Sequence, residues 1–138
     1  MATDGERLSA LAKERHISLT TFKRDGTAVA TPVWVVTDDG RRLLVWSGAD
    51  TWKVKRIRHN PRVRVAACDA RGNIRGEAVD ASARLLGPDE GPLVQGLLRK
   101  KYGFLKRALD AFNSLVRILA QRPKAQAEYI EIVPRAGE

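Results

Sequence analysis

Turn signals divide the first half of this chain into short β-rich segments. Asp25–Gly26 and the run Asp38–Asp39–Gly40 supply residues that tight turns favour, and β-branched and aromatic residues are frequent on either side. The pattern predicts strands at residues 17–22, 27–36 and 42–46. Because two tight turns join these strands, we expect them to form an antiparallel meander.

Helical signals frame the remaining strands. Thr3 and Glu6 have the spacing of a capping box, which opens a predicted helix at 4–15. A short basic helix at 51–59 ends at Asn60–Pro61, because proline disfavours helix in the residue before it. Strands are predicted at 63–67, at 74–86 (bent or interrupted) and at 126–133, with helical segments at 88–102 and 105–119. We therefore expect an α+β fold, a small barrel of six antiparallel strands, with 1–138 as one domain.

The last predicted helix has one continuous apolar face. Its apolar residues recur at spacings of 4, 3, 4 and 3: Leu105, Leu109, Phe112, Val116 and Leu119. We expect this face to pack against either the barrel or a second subunit. Basic residues at 99–101 and 106–107 are expected on the polar sides of the two final helices, and the alternative is that they hold an anionic group or nucleic acid.

Composition excludes several classes of protein. No apolar run approaches the ~20 residues that span a bilayer, and the N-terminus lacks an apolar signal segment, so we expect a cytoplasmic protein without a membrane partner. The single Cys68 excludes an internal disulfide, and two histidines with one cysteine make a zinc site improbable. The net charge of +9 is compatible with nucleic acid, a small polyanion or a merely solvated basic surface.

The segment after the third strand is typical of a phosphate site. Ser47, Gly48 and Thr51 are residue types that expose backbone N–H groups and hydroxyls where a helix starts. Residues 53–64 then contain six Lys or Arg and no acidic residue. Lys53 and Arg56 share a helical face and form the better phosphate pair. Lys55 points away from them, towards solvent or towards a further acidic group of the ligand.

Other chemistry-bearing residues have simpler interpretations. The tryptophans are candidates for stacking on a ring, for the core or for a dimer interface: Trp34, Trp46 and Trp52. His16 and His59 stand at element boundaries, where solvent-facing or capping roles are expected. Cys68 fits a small core residue, and no arrangement for nucleophilic catalysis is suggested.

Three stretches together resemble a known family. They are residues 19–34 (LTTFKRDGTAVATPVW), 49–64 (ADTWKVKRIRHNPRVR) and 68–72 (CDARG). They look like the pyridoxamine 5'-phosphate oxidase-like flavin/deazaflavin oxidoreductases, and most like the actinobacterial group that uses coenzyme F420. The resemblance implies a split β-barrel that dimerises, with cofactor sites at the subunit interface and hydride transfer from reduced F420 to a small unsaturated organic substrate.

The resemblance also implies the cofactor-binding residues. The strand with Thr31, Pro32, Val33 and Trp34 would lie along the deazaflavin ring and contact it through backbone groups. The ribityl phosphate and the acidic tail would be surrounded by a second set: Ser47, Gly48, Thr51, Lys53, Lys55 and Arg56. Flavin mononucleotide (FMN) oxidases of the superfamily usually have an arginine at the start of the second-strand motif, where this chain has Ala30.

Two alternatives to the F420 enzyme stay open from the sequence. One is an FMN-binding protein or flavin/deazaflavin carrier of the same fold, and the other is a basic nucleic-acid-binding module. Few exposed aromatics are predicted along the basic runs, which argues against single-strand stacking. Pro32 cannot donate to a strand ladder, so it is expected at an edge or at a bulge that frees backbone groups for a heterocycle.

Overall fold

The computed structural model describes residues 3–48, 51–120 and 127–135. The elements in chain order are α1 (Asp4–Leu11), β1 (His16–Phe22), β2 (Ala28–Trp34), β3 (Leu43–Gly48), α2 (Trp52–His59), β4 (Arg62–Cys68), β5 (Val79–Leu85), a 3-10 turn (Pro88–Glu90), α3 (Gly91–Tyr102), α4 (Phe104–Leu119) and β6 (Ala127–Pro134). The predicted order of helices and strands is confirmed. The first helix is shorter than expected, and residue 126 of the predicted last strand lies outside the described residues.

Local signals act as the sequence indicated. The Thr3 hydroxyl accepts a hydrogen bond from the Glu6 backbone N–H at 3.1 Å and caps α1. The Asp25 carboxylate accepts from the Thr27 N–H at 2.9 Å and closes the β1–β2 turn. The predicted fifth strand is interrupted, since Ile74 forms only an isolated bridge with Cys68 before β5 begins at Val79.

All six strands form one antiparallel sheet in the order β2-β1-β4-β5-β6-β3. The expected three-stranded meander is therefore wrong in its third strand. β3 pairs with β6 from Leu43–Ile132 to Gly48–Ala127, and it meets the β2 side through the single bridge Val36–Leu44. The curled sheet is thus a split barrel, and the expected α+β fold class is confirmed. Its two edge strands, β2 and β3, approach each other without forming a ladder.

Two helices pack their apolar faces against the core of the barrel. Inward-facing strand residues such as Ile17, Leu19 and Val65 form one buried cluster. The same cluster contains Leu8 and Leu11 of α1 and Val54 and Ile57 of α2. Both helices therefore pack on it with their apolar faces. This packing fixes α2 against β1 and β5.

A second cluster lies between the sheet and α3. Its buried members are Val36, Leu44, Leu86, Val94, Leu98 and Tyr102, and half-buried Trp34 and Trp46 pack against it. The Trp34 ring stacks on the Tyr102 ring, with centroids 4.3 Å apart and an interplanar angle of 9°. Trp34 and Trp46 therefore contribute to packing around α3.

A buried carboxylate ties the strands on this side together. Glu131 of β6 accepts hydrogen bonds from Arg84 Nε at 2.7 Å and from Arg42 Nη1 at 2.8 Å. The Arg84 hydrogen bond, followed by the bond from Arg42, outweighs burial and lowers the pKa of Glu131. Arg42 also pairs with Asp38 at 2.8 Å and with Glu90 at 3.2 Å, so it joins the β2–β3 turn to the 3-10 turn.

The end of α3 is anchored to the chain around β2. The Tyr102 hydroxyl accepts from the Val35 N–H at 2.9 Å and donates to the Arg15 carbonyl at 2.7 Å. Lys101 Nζ donates to the carbonyls of Ala12 at 2.9 Å and Val35 at 2.7 Å. Burial raises the pKa of Tyr102 to about 12 and lowers that of Lys101. These bonds position Trp34 and the residues that follow β2.

The last helix has the reverse of the simplest expected orientation. Lys106, on its polar side, is buried, while Phe104, Phe112, Ile118 and Leu119 are exposed. Packing of the apolar face against the barrel, one of the two expectations, is therefore wrong. Of the helices that the structure describes, none is both long and apolar enough to span a bilayer.

Candidate cofactor-binding site

The predicted phosphate residues meet where β3 leads into α2. Ser47 and Gly48 end β3, and Thr51 is the N-cap of α2. The Ser47 and Thr51 hydroxyl oxygens are 2.9 Å apart, so the structure brings these two side chains together. Residues 49 and 50 lie outside the described residues. The first backbone N–H groups of a helix have no intrahelical partner, which makes this point suited to an anion.

Two cations lie on one side of α2. Lys53 is half-buried, and its pKa is lowered first by burial and then by the neighbouring charge of Arg56. Arg56 Nε donates to the hydroxyl of buried Thr21 at 2.7 Å, which holds the guanidinium against β1. An anion placed beside Lys53 and Arg56 would relieve both the desolvation and the mutual repulsion of these cations.

Lys55 points to a different surface, as the helical geometry predicted. Its Nζ lies 4.6 Å from the centroid of the Trp52 ring, and Trp52 itself is 69% exposed. A cation held over an indole face is oriented without being neutralised. Lys55 therefore keeps its charge available on the outer side of α2.

A cationic cleft of about 750 Å³ opens beside α2. The β1–β2 turn and α2 line it with Lys23, Arg24, Trp52, Lys55, Arg56, Arg58 and His59. Five of these residues are Lys or Arg and none is acidic. Arg24 Nη2 lies 2.9 Å from His59 Nε2 and connects the turn to the end of α2. Such a cleft favours a ligand with several negative charges.

Lys23 and Arg24 were not among the predicted site residues. The sequence shows them directly before the Asp25–Gly26 turn, but nothing local indicates which helix that turn approaches. The antiparallel pairing of β1 with both β2 and β4 brings the turn beside the end of α2. In the sequence, Lys23 and Arg24 are recognisable only as two cations beside a hairpin turn. Their position in the cationic cleft depends on tertiary structure.

The strand predicted to lie along a ring is an edge strand. β2 pairs with β1 from Trp34–His16 to Ala28–Phe22 without a break, so Pro32 lies at an edge and the expected alternative of a bulge is wrong. Gly72, with φ +92°, lies beside Pro32, since an added Cβ would be in ordinary contact with its ring at 3.6 Å. The turn of residues 69–72 therefore lies against β2.

Side chains of β2 alternate between two surroundings. Val33 is buried in the barrel core, whereas Trp34 stacks on Tyr102 outside it. Thr31 and Pro32 are half-buried. Four consecutive strand residues cannot all turn their side chains to one ligand, so a flat ring along this strand would have to use backbone groups. One strand separates β2 from α2, since Thr21 of β1 pairs with Val29 and also binds Arg56.

Groups for acid–base, nucleophilic or metal chemistry are not assembled in the part of the chain that the structure describes. No three His, Cys, Asp or Glu side chains there are placed to hold a metal ion. His59 is exposed and His16 half-buried. Cys68 is buried, and burial raises the pKa of its thiol, which suits the core role expected from the sequence.

One sequence family matches nearly the whole chain. The profile described as pyridoxamine 5'-phosphate oxidase matches residues 4–127, nearly the whole chain. The chain belongs to this family. The resemblance found in the sequence is thereby confirmed at the level of the split-barrel oxidoreductase family. No curated protein matches the chain.

Solved structures share the family fold at low sequence identity. A conserved hypothetical protein from Mycobacterium tuberculosis has a TM-score of 0.66 and 20% identity, covering 98% of this chain and 82% of its own. An F420 reductase has a TM-score of 0.52 and 18% identity, over 99% and 97% of the two chains. A FAD-binding protein from Mesorhizobium loti has a TM-score of 0.57 and 18% identity, over 95% and 94%. At these identities the likeness is one of fold.

Proposed function

We propose that this family member is an F420-dependent oxidoreductase that transfers hydride from the reduced cofactor to a small unsaturated organic substrate. The observation that carries the proposal is the cleft with five Lys or Arg residues and no acidic one. A phosphate monoester has a charge of about −2 at neutral pH, which two cations balance. The further cations fit a cofactor that has an acidic tail beyond its phosphate. The fold similarity to an F420 reductase is compatible with this choice.

The residues of the chain would divide the work of binding. Ser47, Gly48, Thr51, Lys53 and Arg56 would hold the phosphate at the start of α2, and Lys55 would reach the tail. The open edge of β2 at residues 31–34 would offer backbone N–H and C=O groups to the ring. When bound, reduced F420 supplies a hydride from C5. The protein would bind, orient and exclude water, and hydride transfer to an electron-poor double bond needs no catalytic triad.

We further propose that the active form is a homodimer with cofactor sites at the subunit interface. This assembly follows from the family resemblance, and light scattering on the purified protein measures it directly. A monomer that binds cofactor with full affinity would remove the interface from the proposed site.

FMN is the alternative cofactor. The family name and the similar FAD-binding protein favour a flavin, whereas Ala30 in place of the usual arginine disfavours FMN. Flavin and deazaflavin differ in their absorbance spectra, so the spectrum of the purified protein with each added cofactor separates the two.

Titration with F420 and with FMN, followed by fluorescence, tests which lysine binds the phosphate and which binds the acidic tail. Lys53→Gln should weaken both cofactors, because both have a phosphate; the loss should be about 1.5–3 kcal/mol, or about 10- to 150-fold in Kd. Lys55→Gln should weaken F420 by up to about fivefold and leave FMN unchanged, because an exposed ion pair contributes at most about 1 kcal/mol. Arg41→Gln removes the same charge from an exposed turn and is the matched control.

The outcomes discriminate clearly. Equal losses in all three variants would show a response to net charge alone and would contradict the site. Unchanged affinity in Lys53→Gln would remove that lysine from the phosphate site. Saturable binding of FMN together with no binding of F420 would replace the proposed cofactor.

A further inference from the structure

The outer surface of α4 is a continuous apolar face. Seven of its apolar side chains are exposed, from 42% to 82%: Phe104, Leu105, Phe112, Leu115, Val116, Ile118 and Leu119. A large apolar side chain has about 150–200 Å² of surface, so together the seven expose roughly 700 Å². The largest apolar patch on a typical monomer measures about 300–600 Å², and patches beyond that size mark interaction sites.

The polar side of α4 is turned towards the rest of the protein. Lys106 is only 1% exposed; its Nζ binds the Asp110 carboxylate at 2.6 Å and lies 5.5 Å from the centroid of the Trp46 ring. Arg117 is half-buried, so Arg107 is the exposed cation of this helix. A helix that lies on a lipid surface directs a polar face rich in Lys and Arg towards the headgroups. The orientation of α4 therefore favours a protein partner over a lipid surface.

The exposed residues have the spacing of a coiled-coil seam. Five of them follow one another at spacings of 3, 4, 3 and 4: Leu105, Ala108, Phe112, Leu115 and Leu119. Phe112 is the centre of this row, since Leu105 and Leu119 lie seven residues away on either side. A second α4 laid antiparallel on the first would bring the two Phe112 side chains together, and it would pair Leu105 of each copy with Leu119 of the other.

Such a contact would bury no charge. Arg107 and Arg117 are each five residues from Phe112 and therefore lie about 140° from it around the helix. Two of these faces in contact would bury up to about 1,400 Å² in total, which lies within the range of about 1,200–2,000 Å² found for stable interfaces. Spacing, charge and area thus all fit a second copy of this chain.

We propose that the α4 helices of two copies pack antiparallel, crossing at Phe112, and that this contact joins the subunits. The inference rests on the homodimer proposed above and names the surface through which it forms. The position of α4 agrees with that role. The helix begins two residues after Tyr102, whose ring stacks on Trp34 at the end of β2. A second copy bound to α4 would therefore approach the strand that is proposed to lie along the cofactor ring.

Sedimentation of the full chain over a range of concentrations tests the contact. Phe112→Asp should raise the dissociation constant of the dimer at least about 100-fold, because the substitution occurs in both copies and places two carboxylates face to face. Phe112→Leu keeps an apolar side chain and should stay within about tenfold of the wild type. Ile74→Asp, at an exposed apolar residue outside α4, is the matched control and should dimerise like the wild type. Circular dichroism confirms that each variant is folded.

Crosslinking tests the antiparallel orientation. The chain has one native cysteine, Cys68, and it is buried. Phe112→Cys, oxidised with copper phenanthroline, should form a covalent dimer, because the two copies of this position lie together at the crossing point. Leu105→Cys should not, because its two copies would lie about 21 Å apart along the helices. Equal amounts of covalent dimer from both variants would contradict the antiparallel contact.

Other results would overturn the contact itself. If Phe112→Asp dimerises as tightly as Ile74→Asp, the homodimer forms through another surface and stands without α4. If the wild-type protein remains a monomer at about 100 μM, both the contact and the homodimer are wrong, while the titrations with F420 and FMN still test the cofactor site. If a monomeric wild-type protein binds anionic vesicles and Phe112→Asp does not, the apolar face meets lipid instead of a second copy.

Discussion

Replacing Tyr102 by phenylalanine removes one oxygen atom at the junction of α3 with β2. In the native protein this hydroxyl accepts from the buried Val35 N–H at 2.9 Å and donates to the Arg15 carbonyl at 2.7 Å. The ring keeps its stack on Trp34, since the substitution leaves the aromatic ring in place. The variant therefore isolates the effect of leaving two backbone groups without their partner.

The expected cost follows from where those groups lie. A buried N–H without an acceptor costs about 1–3 kcal/mol, and Val35 is completely buried. Arg15 is exposed, so its carbonyl regains a partner in water at little cost. We expect a loss of about 1–3 kcal/mol in the free energy of unfolding. For 138 residues, each kcal/mol corresponds to about 3–4 °C in Tm, so Tm should fall by roughly 3–12 °C.

Thermal and urea unfolding measure this difference, and the chain supplies a matched control. Tyr129→Phe removes the same atom, but among the described residues that hydroxyl accepts from a side chain, Gln95 at 3.1 Å, and Gln95 can turn to solvent. The control should lose at most about 1 kcal/mol. Equal losses in the two variants would refute the idea that the Tyr102 hydroxyl satisfies a buried backbone group.

Alkaline unfolding gives a second readout for the same hydroxyl. Burial raises the pKa of Tyr102 from about 10 to about 12, so between these values the folded protein keeps a proton that the unfolded chain releases. Stability should therefore fall as pH rises from 10 to 12. Tyr102→Phe lacks this group and should lose less stability over that interval. If Tyr102→Phe loses as much stability as the wild type between pH 10 and 12, the loss comes from other titrating groups.

Other substitutions have equally defined expectations. Glu131→Gln should lower the free energy of unfolding by about 2–4 kcal/mol at pH 7, because it breaks a buried ion pair. The difference from the wild type, measured by urea unfolding, should narrow as pH falls through the lowered pKa of Glu131. A difference that stays constant with pH would contradict the ion pair. Gly103→Ala should destabilise the protein by about 1 kcal/mol, because φ is +52° at this position. Gly96→Ala, in open space within α3, should stabilise it by about 0.5–1 kcal/mol. Tm shifts of the same sign in the two variants would refute this reasoning. The buried thiol of Cys68 should react with a thiol reagent far more slowly in the native than in the urea-unfolded protein, and equal rates would contradict its burial.

The candidate site was foreseen where its residues are close in sequence. The structure brings Ser47 to Thr51 and holds Lys53 beside Arg56, because a strand end, an N-cap and one helical turn are local features. Lys23 and Arg24 were missed, since a strand pairing brings them to α2 from about 30 residues away. The role of all these residues in cofactor binding stays a prediction.

The sequence alone determined where the helices, strands and turns lie, because capping residues, turn residues and the period of apolar side chains act over a few residues. It also determined the membership of the family through the ordered set of its motifs. Only the tertiary structure decided that β3 pairs with β6 instead of continuing the meander, and that the apolar half of α4 faces outwards. Both depend on contacts between distant segments: β3 finds a full ladder of partners in β6, and α4 places the buried ammonium of Lys106 beside the Trp46 ring of β3.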